Sequence, residues 1–180
     1  MKRILSLLMS TILLTLTSCS LILHLTSRTE LINEIDKSDK EIAESKLLKI
    51  LDALENKDSE ALKNMLSEEA LNEAEDLDED IQNVLDYYKG AHIEYKGDTP
   101  TSSGSYNAGK RTEYHVSSTF EVTTEVDSYY IAFYYQVIND KCPEKIGLRC
   151  IQIVKNAEKQ PWNSALGIYV LTEKLREQKN

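Results

Sequence analysis

Between Ser38 and Gly90, apolar residues recur at the spacing of amphipathic helices. Ser38 and Glu41 form a capping box, and apolar residues follow at helical spacing at Ile42, Leu47, Ile50, Leu51 and Leu54. Asp58 can cap a second helix, and a further helix is predicted to start at Ser67. A last helix carries Ile81, Val84, Leu85 and Tyr88 at i, i+3, i+4 and i+7. Gly90 supplies its C-terminal stop.

After Gly90 the period of the pattern changes from 3.6 to 2, which indicates strands. The pattern predicts strands over 91–96, 113–124, 129–138 and 146–154, with a turn-rich stretch over 97–109. The strand over 113–124 is half-buried, while 129–138 is apolar on both faces and is typical of a central strand. Helices followed by an antiparallel meander predict an α+β fold, with N-terminal helices packed on a curved, cone-like antiparallel sheet.

The predicted central strand is rich in tyrosine. Its more apolar face, which we assign to the core beneath the helices, holds Tyr129, Ile131, Phe133, Tyr135 and Val137. Its other face holds Tyr130, Tyr134 and Gln136, which we expect to point outward or into a cavity mouth. A tyrosine combines a large apolar ring with a hydroxyl, and this pairing is common at binding surfaces. Tyr130, Tyr134 and Gln136 are therefore the candidate ligand-binding residues.

The first residues have the layout of an export signal. Lys2 and Arg3 precede an uncharged apolar run over 4–16, and Leu16-Thr17-Ser18-Cys19 follows. This tetrapeptide resembles the lipobox of bacterial lipoproteins, in which the cysteine is lipidated and becomes the mature N-terminus. The resemblance implies a signal peptide over 1–18, a lipidated N-terminus and tether over 19–37, and a single α+β domain over 38–180. The lipid on Cys19 would hold the domain at the outer face of the plasma membrane.

An uncleaved signal anchor is the alternative, because the sequence stays apolar after Cys19. As a helix, residues 4–26 would span about 34 Å, enough to cross a hydrocarbon core of about 30 Å. Both interpretations keep Lys2 and Arg3 inside and the domain outside.

The charge of the chain restricts its partners. The formal net charge is −9 over 180 residues, and Lys2 and Arg3 are the only charged residues before Cys19. The mature part is therefore more acidic than the whole chain. Such a surface repels nucleic acid, so no nucleic-acid partner is expected.

Two motifs resemble a phosphate loop and a calcium loop, but each lacks residues that the site requires. Residues 104–111 have phosphate-loop spacing, but Arg111 replaces the magnesium-binding hydroxyl and the stretch precedes a strand, which favours a hairpin loop. Residues 76–80 resemble the start of a calcium loop, but Ile81 replaces its turn glycine and Tyr87 its bidentate glutamate. Acidic residues are favoured at a helix start by the dipole alone.

A zinc site and a disulfide are the remaining possibilities for metal or covalent chemistry. His92 and Glu94 share a face of one strand, and Glu113 and His115 of the next strand could approach them. We expect no metal, because the polar face of a strand is an ordinary place for histidine. Cys142 and Cys150 share an oxidising compartment, but a turn position and a mid-strand position are too distant for a relaxed bridge.

Three further segments resemble the nuclear-transport-factor-like (cystatin-like) cone fold. They are residues 87–95, which lead from the last helix into the first strand, residues 143–148, and Trp162 with 167–170. Together they resemble an uncharacterised family of Gram-positive lipoproteins over about residues 38–172. That resemblance implies the cone fold and no known activity.

These observations predict a membrane-tethered extracellular binding or interaction module, without catalysis or cofactor. A small enzyme of isomerase or dehydratase type, with its site in the cone's cavity, is one alternative. It would need an inward-facing acid or histidine, whereas the inward positions of the predicted strands are apolar or Tyr. An immunity-type surface lipoprotein is another, since an acidic surface suits a basic partner.

Overall fold

The structure, a computed structural model, describes residues 37–74, 76–156 and, for the backbone alone, 166–169. The signal segment, Cys19, nearly all of the tether and Trp162 lie outside the described residues. Within the described part of the chain, no helix has the length and apolar character needed to cross a bilayer.

In the described residues four helices precede the strands: α1 (Asp39–Asn56), α2 (Ser59–Met65), α3 (Glu68–Glu73) and α4 (Leu77–Tyr87). The predicted capping box is present at α1, where the Ser38 amide donates to Glu41 Oε2 at 2.8 Å and the Glu41 amide donates to Ser38 Oγ at 3.3 Å. Asp58 caps α2 and Ser67 caps α3, each by accepting a backbone N–H three residues on. Local sequence therefore determines where these helices begin.

Six antiparallel strands follow: β1 (His92–Gly97), β2 (Thr101–Asn107), β3 (Lys110–Thr124), β4 (Ser128–Asn139), β5 (Gly147–Lys155) and β6 (Leu166–Tyr169). The sheet has the order β1-β3-β4-β5-β6, and β2 also pairs with β3. β1 and β2 lie end to end along the same edge of β3, since Gly97 pairs with Phe120 and Thr101 with Ser117. The α+β prediction is confirmed.

The predicted turn-rich stretch over 97–109 is wrong for most of its length. Residues Thr101–Asn107 form β2, which pairs with β3 along its whole length. Residues 98–100 connect β1 to β2, and the β2–β3 hairpin turn is confined to Ala108 and Gly109, with φ of 47° and 80°. Two successive residues with positive φ are what a tight two-residue hairpin loop requires.

The core lies between the helices and one face of the sheet. The five residues predicted to face inward from β4, which are Tyr129, Ile131, Phe133, Tyr135 and Val137, are all buried. Lys46 of α1 lies over the Tyr135 ring, with Nζ 4.1 Å from the ring centre, so this face is turned toward α1. The assignment of the β4 core face is confirmed, and the alternate residues Tyr130 and Tyr134 lie on the opposite, outer face.

Candidate functional site

The outer face of the sheet carries two rows of side chains in the middle of β3, β4 and β5. Ser117, Tyr134 and Cys150 are direct cross-strand partners, and so are Thr119, Ala132 and Gln152. Direct partners in an antiparallel sheet share a face. Ala132 ends at its methyl group, so it leaves a depression between its larger neighbours.

A groove of about 400 Å³ lies over these two rows. One wall is formed by the connection between β1 and β2, where Asp98 and Thr99 lie beside the first residue of β2, Thr101. The groove is rich in side-chain hydroxyls, which come from Thr99, Thr101, Ser117, Thr119 and Tyr134. Asp98 is the one charged residue among its described lining residues. We call this site the outer-face groove.

Tyr134 is held in a fixed setting at the groove. Its ring stacks on His115, with 4.6 Å between ring centres and 24° between planes. The guanidinium carbon of Arg149 lies 5.8 Å from the ring centre. Burial raises the pKa of the Tyr134 phenol, so the hydroxyl stays protonated and can both donate and accept a hydrogen bond.

Arg149 is in turn fixed by an ion pair with a residue of a helix. Its Nη2 lies 2.6 Å from Glu69 Oε2, and Lys145 Nζ lies 3.5 Å from the other oxygen of the same carboxylate. Glu69 belongs to α3. This ion-pair cluster therefore connects α3 to β5, the strand on which Arg149 lies beside the Tyr134 ring. A fixed aromatic ring loses little side-chain entropy when a ligand binds.

Gln136 differs from its expected position. It shares the outer face with Tyr134, but its side chain is only 1% exposed. It is not among the described residues that line the groove. Its Nε2 donates to the carbonyls of Tyr114 at 3.0 Å and Ile138 at 2.6 Å, and its Oε1 accepts from the Tyr134 hydroxyl at 3.4 Å. Gln136 thus lies buried behind Tyr134 and does not face outward, which corrects its expected position.

Tyr130 lies on the outer face, half-buried, opposite Glu121 and Val154. It is outside the described lining of the outer-face groove. Of the three candidate residues, the structure therefore places Tyr134 alone at the groove, with Gln136 behind it and Tyr130 farther along the strand.

A second hollow, of about 290 Å³, lies on the helix-facing side at the same break between β1 and β2. Lys40 and Glu44 of α1 line it, with 3.8 Å between Nζ and Oε1, and so do Tyr95 and Phe120 of the sheet. A Cβ on Gly97 would come within 2.4 Å of the Phe120 ring. Glycine is needed there because the ring packs directly on the strand backbone.

The structure does not bring the histidines together. His92 Nδ1 lies 2.6 Å from Glu55 Oε1 of α1, whereas His115 stacks on Tyr134. His92 pairs with Thr124 and so lies nine β3 residues from His115, which corresponds to roughly 30 Å at the rise of a strand. Within the described residues no group of three side chains is placed to hold a metal ion.

Cys142 and Cys150 are both free. Cys150 lines the groove, and burial raises the pKa of its thiol, which lowers the fraction of the nucleophilic thiolate. The Cys142 amide donates to Asn139 Oδ1 at 3.0 Å within the turn after β4.

The two other motifs have structural explanations. Residues 104–111 form the β2–β3 hairpin. The acidic residues after Asp76 occupy the first turn of α4, where Asp78 Oδ1 lies 2.7 Å from Lys63 Nζ of α2.

Sequence reasoning did not find Thr99, Thr101 or Gln152 as groove residues. The polar alternation of β3, with Ser117 and Thr119 on one face, was the available signal, but it indicates only a solvated face. The groove exists because of the register between β3, β4 and β5 and the break between β1 and β2, both of which depend on long-range pairing.

The comparison with protein families gave one result. The model of a family described as a domain of unknown function, DUF5104, matches residues 49–156, which is more than half of the chain. The chain therefore belongs to the DUF5104 family. No curated protein matches it.

Proposed function

We propose that this member of the DUF5104 family is a membrane-tethered binding module, which faces outward from the plasma membrane and takes its ligand in the outer-face groove. The observation that carries the proposal is the groove itself, where the hydroxyls of Thr99, Thr101, Ser117 and Thr119 accompany a tyrosine held by His115 and Gln136. Concave sites with a few convergent polar groups and a rigid aromatic are typical of ligand binding.

The chemistry of the groove favours an uncharged or basic ligand with several hydrogen-bonding groups. Hydroxyls and the Gln152 amide can each donate and accept, while Asp98 is the charged group among the described lining residues. The net charge of −9 disfavours an anion over the whole surface.

Binding is favoured over catalysis because the described groove pairs no nucleophile with a base. The thiol of Cys150 is suppressed by burial, and His115 is engaged against Tyr134. General-base catalysis needs such a group within hydrogen-bond reach of the reacting proton.

The location of the module is tested at Cys19. We propose that Cys19 carries the lipid, on the basis of the Leu16–Cys19 tetrapeptide behind the apolar run. Cys19→Ser should abolish incorporation of a labelled fatty acid and leave a larger, unprocessed band. Unchanged band size with unchanged membrane retention would instead support the uncleaved signal anchor.

The ligand site is tested by photo-crosslinking in intact cells. A benzoylphenylalanine placed at Gln152, in the groove, should give an adduct that intact-protein mass spectrometry resolves, and Tyr134→Ala should abolish it. The matched control places the same group at Lys40 of α1, which lines the helix-facing hollow.

The control position also tests the enzyme alternative. If the domain has the nuclear-transport-factor-like fold, the helix-facing hollow is the counterpart of the cone's cavity, and Lys40 with Glu44 supplies the charged groups there. An adduct formed at Lys40 and not at Gln152 would move the ligand to that hollow and overturn the groove proposal.

A further inference from the structure

β2 presents a free backbone edge. It pairs with β3 on one side, and its seven residues are all exposed. Alternate residues of an antiparallel strand turn both N–H and C=O away from the paired neighbour. In the part of the chain that is described, no strand pairs with those outward groups.

The composition of β2 leaves this edge unprotected. Folded proteins usually guard an edge strand with charge, proline, a bulge or shortness. β1, on the same side of β3, carries Glu94 and Lys96 and has an irregularity that leaves Ile93 66% exposed. Over Thr101–Asn107 there is neither a charged residue nor a proline, and the register is regular from Thr101 to Ser105.

The edge is also held in place from both of its ends. Ser102 Oγ donates to Asp39 Oδ2 of α1 at 2.5 Å, and Tyr114 of β3 donates to the other oxygen of that carboxylate. At the hairpin tip, Arg111 Nε donates to the Tyr106 hydroxyl at 2.9 Å. A Cβ on Gly104 would lie 2.6 Å from the Glu113 carbonyl oxygen, so glycine lets β2 lie close against β3.

We propose that this edge receives an extended segment of a partner protein as an added β-strand, with uncharged residues opposite Ser102–Ser105 and a basic net charge. In this mode the main chain supplies the affinity, and a strand that is already fixed reduces the entropic cost of binding. The partner's basic charge follows from the acidic chain, at −9, because opposite charge speeds encounter.

A second copy of this chain fits the edge less well. A stable dimer buries about 800 Å² per partner, which is more than the edge of one seven-residue strand supplies. Two copies would also bring equal acidic charge together.

The test uses two proline variants of the full-length chain. The amides of Ser102 and Ser103 point to opposite sides of β2, so Ser102→Pro and Ser103→Pro each remove one of them. The variant that loses an outward amide should melt like the wild type, and the other should melt earlier because it loses a bond to β3. Ser102→Ala controls for the lost hydrogen bond to Asp39.

The probe is a random twelve-residue peptide library displayed on phage and selected on the immobilised wild-type chain. We expect basic peptides with an uncharged centre, which bind the outward-amide variant at least tenfold more weakly and slow hydrogen exchange at alternate β2 amides. Selected peptides that bind both chains equally, or that leave β2 exchange unchanged, would overturn the proposal. Concentration-dependent dimerisation abolished by the same variant would replace the peptide with a second copy.

Discussion

The two faces of β4 place the same kind of residue in two different settings. On the helix-facing side Tyr129 is 0% exposed and Phe133 is 3% exposed, both within the core. On the outer side Tyr130 and Tyr134 are half-buried, and Tyr134 borders the groove. One face of this aromatic-rich strand thus packs in the core and the other borders the groove that we propose for ligand binding, and the alternation of side chains decides which residue lies on which face.

The largest effect is expected on the helix-facing side. Phe133→Ala should lower the free energy of unfolding by about 3–5 kcal/mol, because it leaves a cavity where the ring packs against Phe120. Chemical denaturation of the full-length chain measures this. Tyr130→Ala is the control on the outer face, and an equal loss there would contradict the assignment of faces.

An intermediate effect is expected at Gln136, which lies on the outer face and is nevertheless buried. Gln136→Leu keeps the volume but leaves the carbonyls of Tyr114 and Ile138 without its amide. We expect a loss of about 1–3 kcal/mol, measured by the same denaturation. Gln152→Leu, at a half-buried outer position, should change stability by less than about 0.5 kcal/mol. A Gln136 variant as stable as the Gln152 variant would show that those hydrogen bonds contribute little.

Gln136 also shows where the sequence stops being informative. The alternation of β4 correctly predicts the buried positions of Phe133 and Tyr135, because the period of a strand is a local property. Between the Tyr114–Ile138 and His115–Gln136 pairs, however, Val137 has no partner on β3. Such a bulge depends on the neighbouring strand, so the burial of Gln136 could not be predicted from β4 alone.

β2 was missed for a related reason. Capping boxes and N-caps identify α1 to α3 from a few adjacent residues, but Thr101–Ser105 has neither an apolar face nor a helical cap. Serine and glycine favour turns by local preference, and pairing with β3 overrides that preference. Helix starts and the β4 core face were therefore predictable, whereas β2, the groove wall and the free edge were not.

A smaller change in stability, with a large change in binding, is expected at Tyr134. Tyr134→Ala removes a half-buried ring and should cost about 1–2 kcal/mol, less than a fully buried aromatic, while abolishing the groove adduct at Gln152. Tyr134→Phe separates ring from hydroxyl, since it keeps the stack on His115 and loses the bond to Gln136. Retention of the adduct in Tyr134→Ala would contradict a role for this face in binding.

The smallest effect is a pH dependence at His115, the residue behind Tyr134. Burial lowers the pKa of its imidazole, Arg149 lowers it further, and Glu113 opposes both. In the unfolded chain His115 therefore takes up a proton at a higher pH than in the folded domain. Stability must then fall as the pH drops below about 6.5, until the folded form is also protonated.

The measurement is the free energy of unfolding of the wild type and of His115→Gln, each at pH 7.5 and 5.5. Comparing the two chains isolates His115, because carboxylates titrate mostly at lower pH and His92 is present in both. The wild type should lose more stability between the two pH values than the variant, and an equal loss in both would show that the setting of His115 does not favour its neutral form.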